Sequence, residues 1–289
     1  MSVVVTGATG PFGRRVVTQL LAAGVPADQI TAAGRRTETL ADLAAQGVRV
    51  AKIDFSDPQS LVAAFQGAES VLLVSGSEVG QRIPQHRNVI EAAATAGVRR
   101  VVYTSAPKAD ATTLVLAPEH KATEEILRAS GLAFTILRNG WYTENYLGDV
   151  ELARTTGQIV ASVGDARVAS ASRIDFADAA AVVLRSDEHD GAVYELSGDV
   201  AWSYDDLAAA VSTVVGRPVV YVPVTAEERL AGLLAAGLDE GTAGFVVAIE
   251  QNTAEGLLAE TSGDLSRLIG HPTTPLLEGL QAAVAAVPA

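Results

Sequence analysis

The stretch Val3-Val4-Val5-Thr6-Gly7-Ala8-Thr9-Gly10-Pro11-Phe12-Gly13 decides the fold. Its β-branched opening reads as a short strand, and the apolar stripe Val16, Val17, Leu20, Leu21 that follows reads as one face of a helix. Between them stand three glycines in the pattern GxxGxxG. Glycine lets the chain turn tightly and lets its backbone approach a pyrophosphate, and the last of the three lets helix and strand pack closely. A helix beginning there adds free N–H groups and a partial positive charge. A glycine triplet by itself also occurs in plain turns. At the first junction of a strand–helix series it points to a dinucleotide.

The series does continue. Strands are predicted near 30–33, 48–53, 71–75, 101–104 and 133–137, with helical patterns near 38–45, 59–65, 84–96 and 118–129 between them. Regular alternation implies βαβ units, right-handed crossovers and an α/β, Rossmann-type, doubly wound parallel sheet. The second half is less regular. Helix starts are expected at Asp175 with Asp178, Ser203 with Asp206 and Thr225 with Glu228, and strands near 192–196 and 219–222. No linker separates the halves. The expected organisation is an NAD(P)-binding Rossmann domain over residues 1–150 and a smaller mixed lobe over 151–289 that covers the substrate and interleaves with the sheet.

Composition narrows the chemistry. The 289 residues include 34 acidic and 21 basic side chains, a net charge of −13, and 48% apolar residues, enough for a substantial core. There is no cysteine, which removes disulfides, thiolate nucleophiles and zinc–thiolate sites. The four histidines (86, 120, 189, 271) lie far apart without HExxH spacing, so no metal site is expected. No apolar run is long enough to span a bilayer and the start lacks a signal-peptide pattern, so a cytoplasmic protein with no membrane partner is expected. Residues 1–150 carry 14 basic and 14 acidic side chains, whereas 151–289 carry 7 and 20. The acidic half opposes nucleic-acid binding and disfavours anionic acceptors. Six of its carboxylates (Asp175, Asp178, Asp205, Asp206, Glu227, Glu228) fall at or beside expected helix starts, where capping and the helix dipole favour them. Homo-oligomerisation is left open.

At the end of the second strand the chain reads Gly34-Arg35-Arg36, with no carboxylate to accept the ribose 2′-hydroxyl of NAD. Guanidinium groups suit a 2′-phosphate by charge and bidentate geometry, so NADPH is expected, with NADH as the lesser alternative. The spacing GxxGxxG resembles the short-chain dehydrogenase/reductase superfamily, and GATGPFG resembles its atypical, NmrA-like branch. Members that reduce carbonyls use a Tyr-x-x-x-Lys pair. None of the tyrosines at 103, 142, 146, 194, 204 and 221 has a lysine four residues on. Where the pair belongs, His120 takes the tyrosine position and Glu124 the lysine position. A ketone needs an acid to stabilise its developing oxyanion, but a quinone, a cationic dye or a flavin is a strong enough acceptor to manage without one. His120 is the one candidate acid, and packing or capping is its other reading.

Longer stretches sharpen the resemblance: SGSEVGQRIPQHRNVI (75–90), VVYTSA (101–106), LRNGWYTENYL (137–147), YELSGDVAW (194–202) and LIGHPTTPL (268–276). Together they resemble the type 2 NAD(P)H:quinone oxidoreductases, flavin-independent NmrA-like enzymes, with triphenylmethane dye reductases next. The resemblance implies that Gly7, Thr9, Gly10, Pro11 and Phe12 contact the phosphates, beside the packing glycine Gly13. It places Arg35, with Arg36, on the 2′-phosphate and Asp54 and Phe55 beside the adenine. Ser75, Gly76 and Ser77 pass the nicotinamide side, and Thr104, Ser105 and Asn139 border the same cleft. Tyr142 and Asn145, with Trp141, would hold a small aromatic or quinone-like substrate. Two residues depart from these relatives: Phe12 replaces a common leucine and Arg36 a common asparagine. The implied activity is hydride transfer from NADPH to a quinone-like acceptor with no flavin. Dye or flavin reduction, and an NmrA-like redox sensor that binds cofactor without turnover, are the alternatives.

Overall fold

The computed structural model describes residues 2–76, 78 and 80–286. Its first half runs β1 (Val3–Val5), α1 (Pro11–Ala22), β2 (Ile30–Gly34), α2 (Ala41–Ala45), β3 (Arg49–Lys52), α3 (Pro58–Phe65), β4 (Ser70–Leu73), α4 (Arg82–Thr95), β5 (Arg100–Ser105), α5 (Ala117–Ala129) and β6 (Ala133–Asn139). The second runs α6 (Leu147–Thr156), β7 (Gln158–Ala161), β8 (Arg167–Val168), α7 (Arg173–Leu184), β9 (Val193–Leu196), β10 (Trp202–Ser203), α8 (Tyr204–Val215) and β11 (Val220–Pro223). It ends with α9 (Ala226–Ala235), α10 (Glu240–Ala254), α11 (Asp264–Ile269) and α12 (Leu276–Ala285).

Seven strands form one parallel sheet in the order β3-β2-β1-β4-β5-β6-β9. Helices cover both faces, so the central strands are buried on both sides and read as near-continuous apolar runs. Every residue of β1, β4 and β5 is buried. The edge strand β3 is mostly exposed and carries Arg49 and Lys52, charges that discourage pairing with another chain. One face packs Val16, Val17 and Leu20 of α1 against Phe176 and Val183 of α7. The other packs Leu61 and Phe65 of α3 with Val89 and Ile90 of α4 and Leu127 of α5. A third core gathers Tyr146, Trp202, Tyr204, Leu207, Val211 and Leu280 under the later elements.

The strand order reverses direction between β1 and β4, where the chain ends diverge and leave a crevice. Two buried threonines close the ladders there. Thr6 accepts from the Val74 N–H at 3.0 Å while donating to the Leu72 carbonyl at 2.9 Å, and Thr104 accepts from the Ser75 N–H at 2.9 Å.

Each expected strand and helix of the first half is present within a few residues. In the second half the capping boxes Ser203/Asp206 and Thr225/Glu228 form as read. The helix start expected at Asp175 is corrected. Ser172 is the cap, accepting from the Asp175 N–H at 3.1 Å, and α7 begins at Arg173. Asp175 instead holds a distant loop, accepting from the N–H and hydroxyl of Thr274 at 2.8 and 2.9 Å.

Candidate active site

The glycine turn occupies the crevice. Gly7 sits at φ +62°, a left-handed conformation that favours glycine, and a Cβ there would also lie 3.2 Å from Val74. Gly10 ends the turn as the N-cap of α1, its N–H bonded to the Gly7 carbonyl at 2.9 Å, with no side chain capping the helix. Pro11 takes the first helical position, where its missing N–H costs nothing. A Cβ on Gly13 would stand 2.6 Å from the Gly7 carbonyl oxygen, so α1 lies directly on the turn. Gly34 at the end of β2 is a glycine constraint that sequence reading passed over: a Cβ there would meet Thr9 Cγ2 at 2.6 Å. Thr9 is thereby seated against the end of β2.

Three arginines gather at the β2 end. Arg35 is exposed and pairs with Glu78 at 2.8 Å, and Glu78 also accepts from Gln85 at 3.0 Å. These two hydrogen bonds and the Arg35 charge hold the Glu78 carboxyl below its usual range. Because β1 lies between β2 and β4, the Arg35–Glu78 bridge links the chain leaving β2 to the chain leaving β4, on the two sides of β1. Arg36 is exposed and its carbonyl caps the turn that follows, accepting from Thr39. Arg14, absent from the sequence reading, grips Asp42 at 2.6 Å and the Thr39 carbonyl at 3.0 Å. Beyond β3, Asp54 accepts from the Ser56 N–H at 2.8 Å, and the Phe55 carbonyl accepts from Asn88 at 2.9 Å.

On the other side of the turn the chain leaving β4 is held tightly. The Gly76 N–H donates to His86 Nε2 at 2.9 Å and its carbonyl accepts from Arg82 Nε at 3.0 Å. Ser77 lies outside the described residues. Ser105 donates to Glu124 at 2.6 Å, and Glu124 forms a buried bidentate pair with Arg138, with bonds of 2.9 and 2.6 Å. His120 is buried with its Nδ1 2.7 Å from the Tyr103 hydroxyl. Burial first, then the charge of Arg82 and the neighbouring His86, push its pKa down to about 3. At neutral pH the ring is uncharged and engaged with a core tyrosine, a poor proton donor. The two positions that elsewhere hold tyrosine and lysine are therefore a neutral histidine and a paired carboxylate.

The segment after β6 closes the cleft. Asn139 is 7% exposed; its Nδ2 donates to the Tyr142 hydroxyl at 3.1 Å, while its Oδ1 is buried without a partner. The Tyr142 ring lies parallel to Phe12, with centroids 6.4 Å apart and planes 9° from coplanar. Phe176 packs against it and the Arg173 guanidinium stands 5.5 Å from its centroid. Burial raises the Tyr142 pKa. Phe12, which sequence reading joined to the phosphates, and Tyr142, which it joined to the substrate, thus form one aromatic wall. Trp141 packs on the third core and Asn145 is exposed, its N–H donating to the Tyr142 carbonyl at 3.0 Å. The structure brings together the turn, Gly76, Thr104, Asn139 and Tyr142.

Comparison with known proteins agrees with this fold. Residues 7–187 match the NAD(P)H-binding family. Over 278 residues, 96% of this chain and 97% of its relative, the sequence is 45% identical to quinone oxidoreductase 2 of Escherichia coli (strain K12). The chain belongs to the NAD(P)H-binding, quinone oxidoreductase 2 family. The crystal structure of the NADPH-dependent quinone oxidoreductase from Escherichia coli complexed with NADPH superposes with a TM-score of 0.93 at 44% identity, covering 98% of this chain and 99% of that one. Triphenylmethane reductase of Citrobacter sp., complexed with NADP(H), follows at 0.92 and 38% identity, covering 98% and 100%. Among the described residues no helix is long and apolar enough to cross a membrane, and no group of acidic and imidazole side chains could hold a metal ion.

Proposed function

We propose that this member of the quinone oxidoreductase 2 family passes a hydride from NADPH to a quinone. The observation that carries the reading is the replacement of an acid at the reaction centre by His120 and Glu124, both buried and engaged. A site without a dedicated acid suits an acceptor electrophilic enough to need none. The full-length 45% identity to quinone oxidoreductase 2 supports the same acceptor class.

The residues present fit the dinucleotide. The glycine turn leaves no side chain between backbone and pyrophosphate, and the uncapped start of α1 directs its dipole there. Arg35 and Arg36 supply charge for a 2′-phosphate, which favours NADPH over NADH, with Asp54 and Phe55 beside the adenine. The unpartnered Asn139 Oδ1 awaits an N–H donor, such as a carboxamide. Bound NADPH supplies the hydride, two electrons and one proton from its nicotinamide. The Phe12–Tyr142 wall holds flat rings, with Asn145 and Trp141 at its margin, and Gly76, Thr104 and Ser105 line the opposite side. Alignment of two planes supplies most of the rate. The acceptor's second proton comes from water, with no role for His120.

The test is a turnover panel with the purified protein: NADPH and NADH, each against benzoquinone, a naphthoquinone, a free flavin and a triarylmethane dye. Rapid NADPH oxidation by the quinones is expected. Tight NADPH binding without turnover on any acceptor would refute the reading and favour a cofactor sensor.

A further inference from the structure

A buried polar array off the direct contact surface converges on the backbone of a single residue, Gly76, gripping the peptide groups on either side of its Cα. His86 takes its N–H and Arg82 takes its carbonyl, both from the first turns of α4, and the two side chains are 0% and 5% exposed as whole residues. The proton count admits one arrangement. The Gly76 N–H can only donate, so His86 Nε2 carries a lone pair and the ring proton sits on Nδ1, 3.1 Å from Thr123 Oγ1. The Thr123 hydroxyl in turn donates to the Glu119 carbonyl at 2.9 Å. A second ring proton would set two N–H groups face to face. Burial, then the Arg82 charge, prevents this by holding the His86 pKa down to about 3.

Arg82 is fixed at its far end. Its NH1 donates to Glu119 Oε2 at 2.7 Å, and Glu119 Oε1 accepts from the Gly80 N–H at 3.0 Å. Gly76 and Gly80 are therefore both tied to the α4–α5 pair. Polar groups of a surface loop are ordinarily satisfied by water. Withdrawing an arginine and a histidine from water to satisfy the backbone of one loop residue costs desolvation. What it secures is a rigid backbone position at the carboxyl end of β4, beside the crevice.

We propose that His86 and Arg82 are positioning residues that fix the Gly76 backbone as the wall against which the nicotinamide and acceptor rings are aligned. This rests on the hydride-transfer reading above. Misplacement of reacting planes by about 1 Å costs up to about a hundredfold in rate. His86→Leu fills the ring's volume without an acceptor, whereas His86→Gln restores an oxygen that can take the Gly76 N–H. The readouts are NADPH Kd, kcat with saturating benzoquinone, and the primary isotope effect with NADPH deuterated stereospecifically at C4.

His86→Leu is expected to lower kcat by about tenfold to a hundredfold, to enlarge the isotope effect and to leave NADPH Kd nearly unchanged. His86→Gln should recover most of the rate. Should His86→Leu fail to fold, Thr123→Val tests the same chain of bonds by unpartnering Nδ1, with a smaller loss of kcat and the same isotope signature. Parallel loss of kcat and NADPH affinity with an unaltered isotope effect would overturn the proposal, as would a glutamine variant no better than leucine. Wild-type protein that turns over beside a leucine variant of equal kcat would overturn this proposal alone. Wild-type protein that does not turn over would overturn the functional reading with it.

Discussion

Gly13→Ala sets two effects of opposite sign against each other. Gly13 lies inside α1, where alanine is favoured over glycine by about 0.5–1 kcal/mol. Helix propensity alone therefore predicts stabilisation. The added Cβ would however stand 2.6 Å from the Gly7 carbonyl oxygen, 2.7 Å from its carbon and 2.9 Å from Ala8 Cα. All three are backbone atoms, so no rotamer relieves the clash. Gly7 is at φ +62° with its carbonyl bonded to Gly10, and it has little freedom to retreat. Helix α1 must move by several tenths of an ångström, and overpacking of this kind costs about 1–3 kcal/mol. The clash wins, with a net loss of about 1–2 kcal/mol and a Tm lower by about 2–4 °C per kcal/mol. The same movement would withdraw the helix N-terminus from the proposed pyrophosphate position, and each factor of ten in NADPH Kd corresponds to about 1.4 kcal/mol. Gly244→Ala in α10 is the control, since nothing lies within 4 Å of its Cβ. It should stabilise by about 0.5–1 kcal/mol and leave NADPH binding unchanged. Urea unfolding and calorimetric titration measure both. A Gly13→Ala protein as stable as Gly244→Ala, with wild-type NADPH affinity, would refute the claim that α1 is seated on the turn.

Four further outcomes follow from particular contacts. Arg35→Gln should weaken NADPH and spare NADH, while Glu78→Gln, which frees Arg35 from its exposed pair, should tighten NADPH modestly at low salt; titration of both cofactors decides. Glu124→Leu leaves Arg138 without its bidentate partner, and breaking a buried pair costs about 3–5 kcal/mol. Glu195 and Asp110 still hold Arg138, so urea unfolding should show a loss toward or below the lower end. Burial, with Glu250 nearby, raises the Asp149 pKa to about 6, against a partial offset from Arg229. The native state therefore binds a proton that the unfolded chain has already released, and stability falls as pH rises from about 4 to about 6. Asp149→Asn should accordingly raise Tm more at pH 8 than at pH 4. Finally, the acid excess in residues 151–289 should lower kcat/KM for a sulfonated quinone relative to its neutral parent at low salt, and equal values would remove that electrostatic claim.

Much of the architecture was legible because its signals are local. Strand and helix periodicities repeat within a few residues, so the run from Val3 to Leu21 displays strand, turn and helix without reference to the rest of the chain. The capping boxes at Ser203 and Thr225 were legible for the same reason, each spanning one turn. The start of α7 was misread because the pair Asp175 and Asp178 has capping spacing but the cap is Ser172. The Asp175 carboxylate is drawn instead to Thr274, 99 positions away. Arg35 showed the same limit. Its type and place at the end of β2 suit a phosphate, but nothing near it in sequence pointed to Glu78, the partner it has in the structure.

The sequence by itself determined the parallel sheet, the glycine turn and the missing tyrosine–lysine pair, since each is a matter of residue type at short spacing. The tertiary structure decided what replaces that pair. His120 and Glu124 look available in the sequence, and burial beside Tyr103 and Arg138 makes one uncharged and the other fully engaged. It also decided that His86 and Arg82 both reach Gly76, and that Phe12 and Tyr142 form one wall from opposite ends of the first half. The physical reason is the same in each case. Proton affinity, pairing and ring contact depend on what lies within a few ångströms, and the sheet's crossovers choose those neighbours from segments tens of residues apart.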